Sequence, residues 1–166
     1  MRELLEAEGL PAHEDLLTWW SWHDGAETVS PLPGSTDLYL SAENTLAGPW
    51  HVLSLEQALH LRRRQRADHD QLGIGRLFPS AWVQVLTTDG AGDLCADAAA
   101  AGPAPLHVLD EGIEPPPPQF ESLAEFVTMV IRAFDDGLVV GHPHDARAPW
   151  IGDAALQTGL RRLIIW

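Results

Sequence analysis

Apolar residues recur at helical spacing in three parts of the chain, and the first part contains an unusual group of tryptophans. Leu16, Trp19 and Trp20 recur at three- and four-residue intervals, and Gly25 stands where a left-handed cap would end a helix. Neighbouring positions on a helix are about 100° apart, so Trp19, Trp20 and Trp22 cannot all face the core. We therefore expect a helix anchored by its tryptophans, with at most one indole left for a partner.

Two further helices are predicted from their start signals. Ser54 with Gln57, and Ser122 with Glu125, have the spacing of capping boxes, and Gly137 is a stop signal for the second of these helices. The last helix carries one continuous apolar stripe that we expect to be buried. Its members are Leu123, Phe126, Val127, Val130, Ile131 and Phe134.

Four arginines follow the apolar residues of the second predicted helix. Arg62, Arg63, Arg64 and Arg66 allow two interpretations, a patch for nucleic acid or a solvated face in the last turns, where positive charge suits the helix dipole. The negative charge of the whole chain favours the solvated face.

Strand patterns are clearest in the middle of the chain. Residues 82–88 alternate with period two, Asp89 and Gly90 supply turn chemistry, and an apolar run resumes at residue 94, which predicts a β-hairpin. Residues 105–110 predict a further strand, and residues 37–41 predict a short edge strand in an otherwise irregular stretch from 26 to 50. The four prolines at 115–118 predict a stiff extended connector.

Composition narrows the range of partners. The 166 residues suit one domain, and 24 acidic against 10 basic residues give a formal net charge of −14. This charge would repel a phosphate backbone and attract a cationic partner, so nucleic acid is not an expected ligand. A single cysteine, no secretory leader pattern and no long apolar run predict a cytoplasmic protein that does not contact a membrane.

Three groups of histidine and aspartate are the candidates for metal chemistry. They are His23 with Asp24, then Asp68, His69 and Asp70, and finally His142, His144 and Asp145. None has the spacing of a known metal motif, and adjacent residues in regular structure point apart, so structural or surface roles are favoured. Cys95 lies in a predicted strand and is expected to fill the core. We expect no cofactor, no metal and no catalytic residue.

The order of several short motifs resembles the SUKH superfamily, in particular its branch of fungal cell-wall assembly regulators. The matching motifs are Leu10 with Pro11, Trp22 followed by Asp24 and Gly25, Trp82 before an apolar strand, the turn containing Gly90, Gly92 and Asp93 with Asp97 beyond it, and Ser122 to Phe126. The resemblance covers residues 10–134, and residues 135–166 would be a C-terminal extension packing on that SUKH-like domain.

The resemblance implies an α+β fold, with a twisted, mostly antiparallel sheet and helices packed around it in a single domain spanning residues 1–166. This agrees with the mixed order of helices and hairpin. Bacterial members of the superfamily are mostly immunity proteins, which neutralise polymorphic toxins by direct binding without chemistry. Fungal members act as regulatory partners.

Three hypotheses follow for function. The first is an immunity protein that binds a basic toxin domain, and the second is a cytosolic regulatory or scaffold protein with an endogenous partner. The third and most remote is a metal-dependent hydrolase that uses the histidine and aspartate groups. Exposed aromatic and acidic residues would form the protein-binding surface. The candidates are Trp22, Asp24, Trp50, Asp89, Asp93 and Trp150.

Overall fold

A computed structural model describes residues 1–23, 45–47, 50–71, 73, 78–88, 92–109, 117–142 and 145–151, with side chains omitted at 45–47 and 140–151. Helices and strands alternate irregularly along these residues. The helices are α1 (Arg2–Ala7), α2 (Glu14–Trp22), α3 (Leu55–Gln71) and α4 (Leu123–Asp135). The strands are β1 (Thr45–Ala47), β2 (Trp50–Val52), β3 (Trp82–Thr87), β4 (Asp93–Asp97), β5 (Leu106–Leu109), β6 (Val139–His142) and β7 (Asp145–Ile151).

The first five strands form one antiparallel sheet in sequence order, β1-β2-β3-β4-β5. Strands β6 and β7 form a separate antiparallel pair, and β7 lies beside β1. Helices and an antiparallel sheet in one arrangement confirm the predicted α+β class.

The predicted central hairpin is present as β3 and β4. Its register pairs Trp82 with Asp97 and Thr87 with Asp93. Gly92 precedes β4 with φ of +127°, and a Cβ atom there would lie 3.0 Å from the carbonyl oxygen of Leu109, so glycine is required for both reasons. The predicted turn residues 89 and 90 lie outside the described residues.

Both predicted capping boxes mark the starts of helices. At α3, the Ser54 amide donates to Gln57 Oε1 at 2.7 Å and the Gln57 amide donates to Ser54 Oγ at 3.2 Å. At α4, the Glu125 amide donates to Ser122 Oγ at 3.0 Å. The helix stops before Gly137, as predicted, where φ is +67°.

The irregular stretch before α3 contains strands that the sequence pattern did not indicate. Strands β1 and β2 have three residues each, too few for a period-two pattern to be recognised beside Gly48 and Pro49. The strand predicted at 37–41 lies outside the described residues, as does the first half of the proline connector. Strands β6 and β7 lie in the tail, which the pattern left unassigned.

The main core lies against one face of the sheet and takes side chains from all four helices, including Leu5 of α1 and Leu55 and Leu59 of α3. Trp20 is fully buried there, and its Nε1–H donates to the carbonyl oxygen of Leu53 at 3.1 Å. The rings of Trp50 and Phe126 meet edge to face with centroids 6.5 Å apart. A tryptophan fills more volume than any other side chain, so these contacts fix where α2 and α4 lie on the sheet.

The prediction of a solvated arginine face is wrong for Arg62. Helix α3 continues to Gln71, so the arginines lie in its middle, and Arg62 is only 2% exposed. Its guanidinium donates to the carbonyl oxygens of Trp82 at 3.1 Å, Ser80 at 2.6 Å and Glu8 at 3.4 Å. These carbonyls make burial of a cation tolerable, and the guanidinium joins α1 and α3 to the start of β3.

The expected burial of the whole α4 stripe is also wrong. Leu123, Phe126 and Val130 are buried, but Ile131 is 54% exposed and Phe134 is 50% exposed. The six residues of the stripe extend about 140° around α4, and about 200° with Met129 included, which is wider than the roughly 100° needed to face a core. The sheet covers one side of that arc, and the other side is left beside α2.

Candidate protein-binding groove

A groove with a cavity volume of about 370 Å³ lies between α2 and α4. Apolar side chains dominate its lining, and one carboxylate joins them. The lining residues are Asp15, Thr18, Trp19 and Trp22 from α2, and Leu123, Ala124, Val127 and Thr128 from α4. We call this surface the α2–α4 groove.

The α2 wall is formed by two indoles one helical turn apart. Trp19 is buried, whereas Trp22, the last residue of the helix, is 63% exposed. Their ring centroids are 5.5 Å apart with planes tilted by 53°, and His23 lies against both rings at 6.5 and 5.6 Å. Trp22 is therefore supported from behind by other rings while much of its surface faces solvent. A rigid, supported and exposed indole has the properties of an interface anchor.

Hydrogen bonds to the loop after β4 hold the beginning of α2 in place. The Asp15 amide donates to His13 Nδ1 at 3.1 Å, which makes His13 the N-cap, and His13 Nε2 lies 2.9 Å from the carbonyl oxygen of Gly102. Oδ2 of Asp15 accepts from the Ala104 amide at 2.8 Å. The Asp15 carboxylate is thus positioned at the groove by a backbone contact far along the chain.

The α4 wall continues beyond the groove as an exposed apolar strip. Val127, Ile131 and Phe134 are spaced by four and three residues, so they lie on one side of the helix, and Asp135 follows beside them. Thr128 Oγ1 donates to the Ala124 carbonyl oxygen at 2.7 Å, which satisfies the hydroxyl within its own helix. The strip has no charged residue before Asp135.

The structure places the candidate binding residues from the sequence in different environments. Trp22 lies on the groove. Trp50 cannot be an anchor, because it is fully buried in the core between the sheet and α4. Trp150 lies in β7, where its backbone pairs with Val140, and its side chain is outside the description. Asp24 and Asp89 also lie outside the described residues.

Asp93, another candidate, lies on the sheet face opposite the main core. Leu94 and Ala96 of the same strand enter that core, so side chains alternate and Asp93 points the other way. It is partly buried, and its Oδ1 accepts from Thr87 Oγ1 at 2.6 Å. Burial raises the pKa of Asp93, against the smaller lowering effects of hydrogen bonds from Thr87 and Gln84. Asp93 is therefore a carboxyl at the beginning of an inner strand, and it does not lie in the groove.

We expect Asp93→Asn to raise the free energy of unfolding at pH 7. Because the pKa of Asp93 is higher in the folded state, its favourable contribution is complete below the unfolded pKa and is lost as the pH rises through the folded pKa. Asparagine keeps the acceptor for Thr87 without the charge. Urea denaturation at pH 7 and pH 4 checks this, and the gain should be smaller at pH 4.

Asp97→Asn is the control for this experiment. It removes the same formal charge from the other end of β4, where Asp97 Oδ1 accepts from the Ala99 amide at 2.9 Å. If Asp97→Asn and Asp93→Asn gave equal gains at pH 7, relief of overall negative charge would explain both, and the account based on burial of Asp93 would be wrong.

The histidine and aspartate groups do not converge where the structure describes them. Within the described residues, no three His, Cys, Asp or Glu side chains come together as a metal site. Asp68 and Asp70 are exposed on α3, whereas the ring of His69 meets Phe78 edge to face at 6.2 Å. Asp24 and His144 lie outside the description, as do the side chains of His142 and Asp145.

Cys95 is fully buried, as predicted, in a small cluster with Phe78, Trp82 and Leu109 on the same sheet face as Asp93. Burial raises the pKa of the Cys95 thiol well above its usual range, and the nearby Asp93 charge raises it further. The thiolate form that nucleophilic chemistry needs is therefore disfavoured.

Sequence reasoning identified Trp22 but not the other residues of the groove. Thr18, Ala124 and Thr128 are short or polar residues that carry no signal of their own. The usable signal was the width of the α4 stripe, since an arc with Ile131 and Phe134 at one margin exceeds what a single sheet face covers.

Comparison with known proteins gives no relatives. No family model, no curated protein and no solved structure matches this chain. In the part of the chain that is described, no helix is long and apolar enough to cross a membrane.

Proposed function

We propose that this chain is a non-catalytic protein-binding domain, and specifically a cytoplasmic immunity protein that neutralises a basic toxin domain by direct binding. The observation that carries the proposal is the α2–α4 groove, which is lined by both an exposed, ring-supported Trp22 and the Asp15 carboxylate. A recess of this kind provides the apolar anchor point and the charged margin that protein interfaces combine.

The charge of the whole chain supports a basic partner. A formal net charge of −14 steers a cationic protein toward this surface and repels nucleic acid. Toxin domains that attack nucleic acid are commonly basic, since they must bind phosphate. An acidic inhibitor therefore gains association rate against them, and that gain falls as salt rises.

The places of the SUKH-like motifs in the fold are compatible with membership of that superfamily. The Leu10–Pro11 pair precedes α2, Trp22 ends α2, and Trp82 begins β3. Gly92 and Asp93 lead into β4, and Ser122 caps α4. Each motif thus lies at the boundary of an element, where an aromatic residue, a glycine or a capping residue has a structural role to fill.

We expect the tagged protein to capture the product of a neighbouring toxin-like reading frame in a pull-down at about 50 mM salt, and to capture less as salt rises above 200 mM. The physical reason is screening of the acidic surface. The measurement is the recovered fraction across a salt series, followed by an assay of toxin activity with increasing amounts of this protein.

Two results would contradict the proposal. No recovery at any salt concentration would remove the toxin partner, and capture without loss of toxin activity would remove the neutralising role. Recovery of a resident cytoplasmic protein when no toxin reading frame lies nearby would favour the regulatory hypothesis instead.

A further inference from the structure

We infer that the α2–α4 groove, together with the exposed strip of α4, receives one amphipathic α-helix of the partner, with apolar residues on one face and arginine or lysine along its edges. This inference rests on the proposed function, because it names the docking surface and the structural class of segment that occupies it.

The spacing of the exposed apolar residues fits a helix in the groove. The half-buried Val127 and the exposed Ile131 and Phe134 lie within seven steps along α4, which is about 10.5 Å at 1.5 Å per residue. A partner helix presents residues i, i+3 or i+4, and i+7 over the same distance, so the two sets can interdigitate over two turns. Trp22 on the opposite wall supplies the aromatic contact that closes the recess.

The charges around the groove select a basic helix. Asp15 is the one charged side chain in the groove lining among the described residues, and Asp135 lies on the exposed side of α4 beyond Ile131. Round α4, Asp135 is about 40° from Ile131 and Arg132 about 100° from it, so the carboxylate lies nearer to the apolar strip than the guanidinium does. A partner helix thus meets carboxylates beside the apolar strip, and arginine or lysine at its edges would pair with them.

Charge also argues against a second copy of this chain as the occupant. A symmetric dimer through this groove would bring two chains of net charge −14 together and bury the Asp15 carboxylate of both copies in one interface. Like charges at a shared interface oppose association. A basic helix has no such penalty.

The test uses two designed 14-residue peptides of identical composition, acetylated and amidated at their ends. The first places leucine at i, i+4, i+7 and i+11 with arginine along the edges of the apolar face. The second places the same leucines at every second position, as in an extended strand. Isothermal titration calorimetry at 150 mM salt should give an affinity at least about tenfold higher for the helical pattern.

Variants of the full chain locate the binding. Trp22→Ala and Ile131→Ser should each weaken the helical peptide about tenfold or more, because each removes an anchor of the recess. Leu4→Ser is the matched control, since Leu4 is 47% exposed on α1, and it should change the affinity less than about twofold. Circular dichroism of each free variant establishes that it is folded.

Several results would overturn the inference. These are equal binding of the two peptides, binding of neither, a loss of affinity in Leu4→Ser equal to that in the groove variants, or light scattering that shows a dimer of this chain abolished by Ile131→Ser.

Failure of the helix-docking inference can be distinguished from failure of the proposed function. Undiminished capture of a toxin by the Trp22→Ala and Ile131→Ser variants would remove the groove and leave the immunity role. Peptide binding that depends on the groove, without capture of a toxin, would keep the groove as a helix-binding site and remove the immunity role.

Discussion

Replacing Trp20 with alanine is expected to lower the free energy of unfolding by about 3–5 kcal/mol. The indole is fully buried between α2 and the sheet, so its removal leaves a large cavity in the main core. It also leaves the carbonyl oxygen of Leu53 without the Nε1–H that donates to it at 3.1 Å. Urea denaturation followed by far-ultraviolet circular dichroism measures the change.

Trp22→Ala is the matched control, because it removes the same side chain two positions later on the same helix. Trp22 is mostly exposed, so we expect a loss below about 1 kcal/mol. A denaturation midpoint that hardly moves in Trp20→Ala, or losses of equal size in both variants, would show that burial of Trp20 does not anchor α2.

Replacing Arg62 with alanine is expected to destabilise the fold by about 3–5 kcal/mol as well. The guanidinium donates to the carbonyl oxygens of Ser80, Trp82 and Glu8, and alanine would leave these acceptors without their donors. Burial and the nearby Arg66 lower the pKa of Arg62, against the raising effect of the Glu8 carboxylate, whose Oε2 lies 3.9 Å from the guanidinium, but arginine stays charged at neutral pH. Alanine therefore removes a buried cation together with its hydrogen bonds.

Arg66→Ala provides the comparison for Arg62→Ala. Arg66 is exposed one turn later on α3, and alanine favours a helix, so we expect a change within about 0.5 kcal/mol. Arg62→Lys keeps the charge but not the planar fork, and should lie between the two. Equal stability of the Arg62→Ala and Arg66→Ala proteins would mean that the three carbonyl contacts contribute nothing.

The elements with strong local signals were predictable from the sequence. Capping boxes satisfy backbone amides within three residues, and the alternation from Trp82 to Thr87 lies within one strand, so helices α3 and α4 and the central hairpin could be located. The tryptophan argument for α2 also held, because the angle between neighbouring helix positions is fixed by geometry.

Features that depend on distant contacts were not predictable. The helix dipole and the negative charge of the whole chain predict a solvated Arg62, whereas the carbonyls that hold it come from residues 18, 20 and 54 positions away. The sequence offers Trp50 as a possible anchor, and its burial and its contact with Phe126 place it in the core instead. The groove depends on how α2 and α4 lie together on the sheet, and helical periodicity reports each helix alone.

The guanidinium of Arg62 has a consequence for the order in which the chain becomes native during synthesis. Glu8, the residue that caps the end of α1, can contact Arg62 only when that arginine has emerged from the ribosome, and the guanidinium has all its acceptors only after Ser80 and Trp82 follow. The first six-residue helix is too short to persist alone in water. A nascent chain released before residue 82 would therefore lack the complete set of Arg62 contacts that join the end of α1 to α3 and β3.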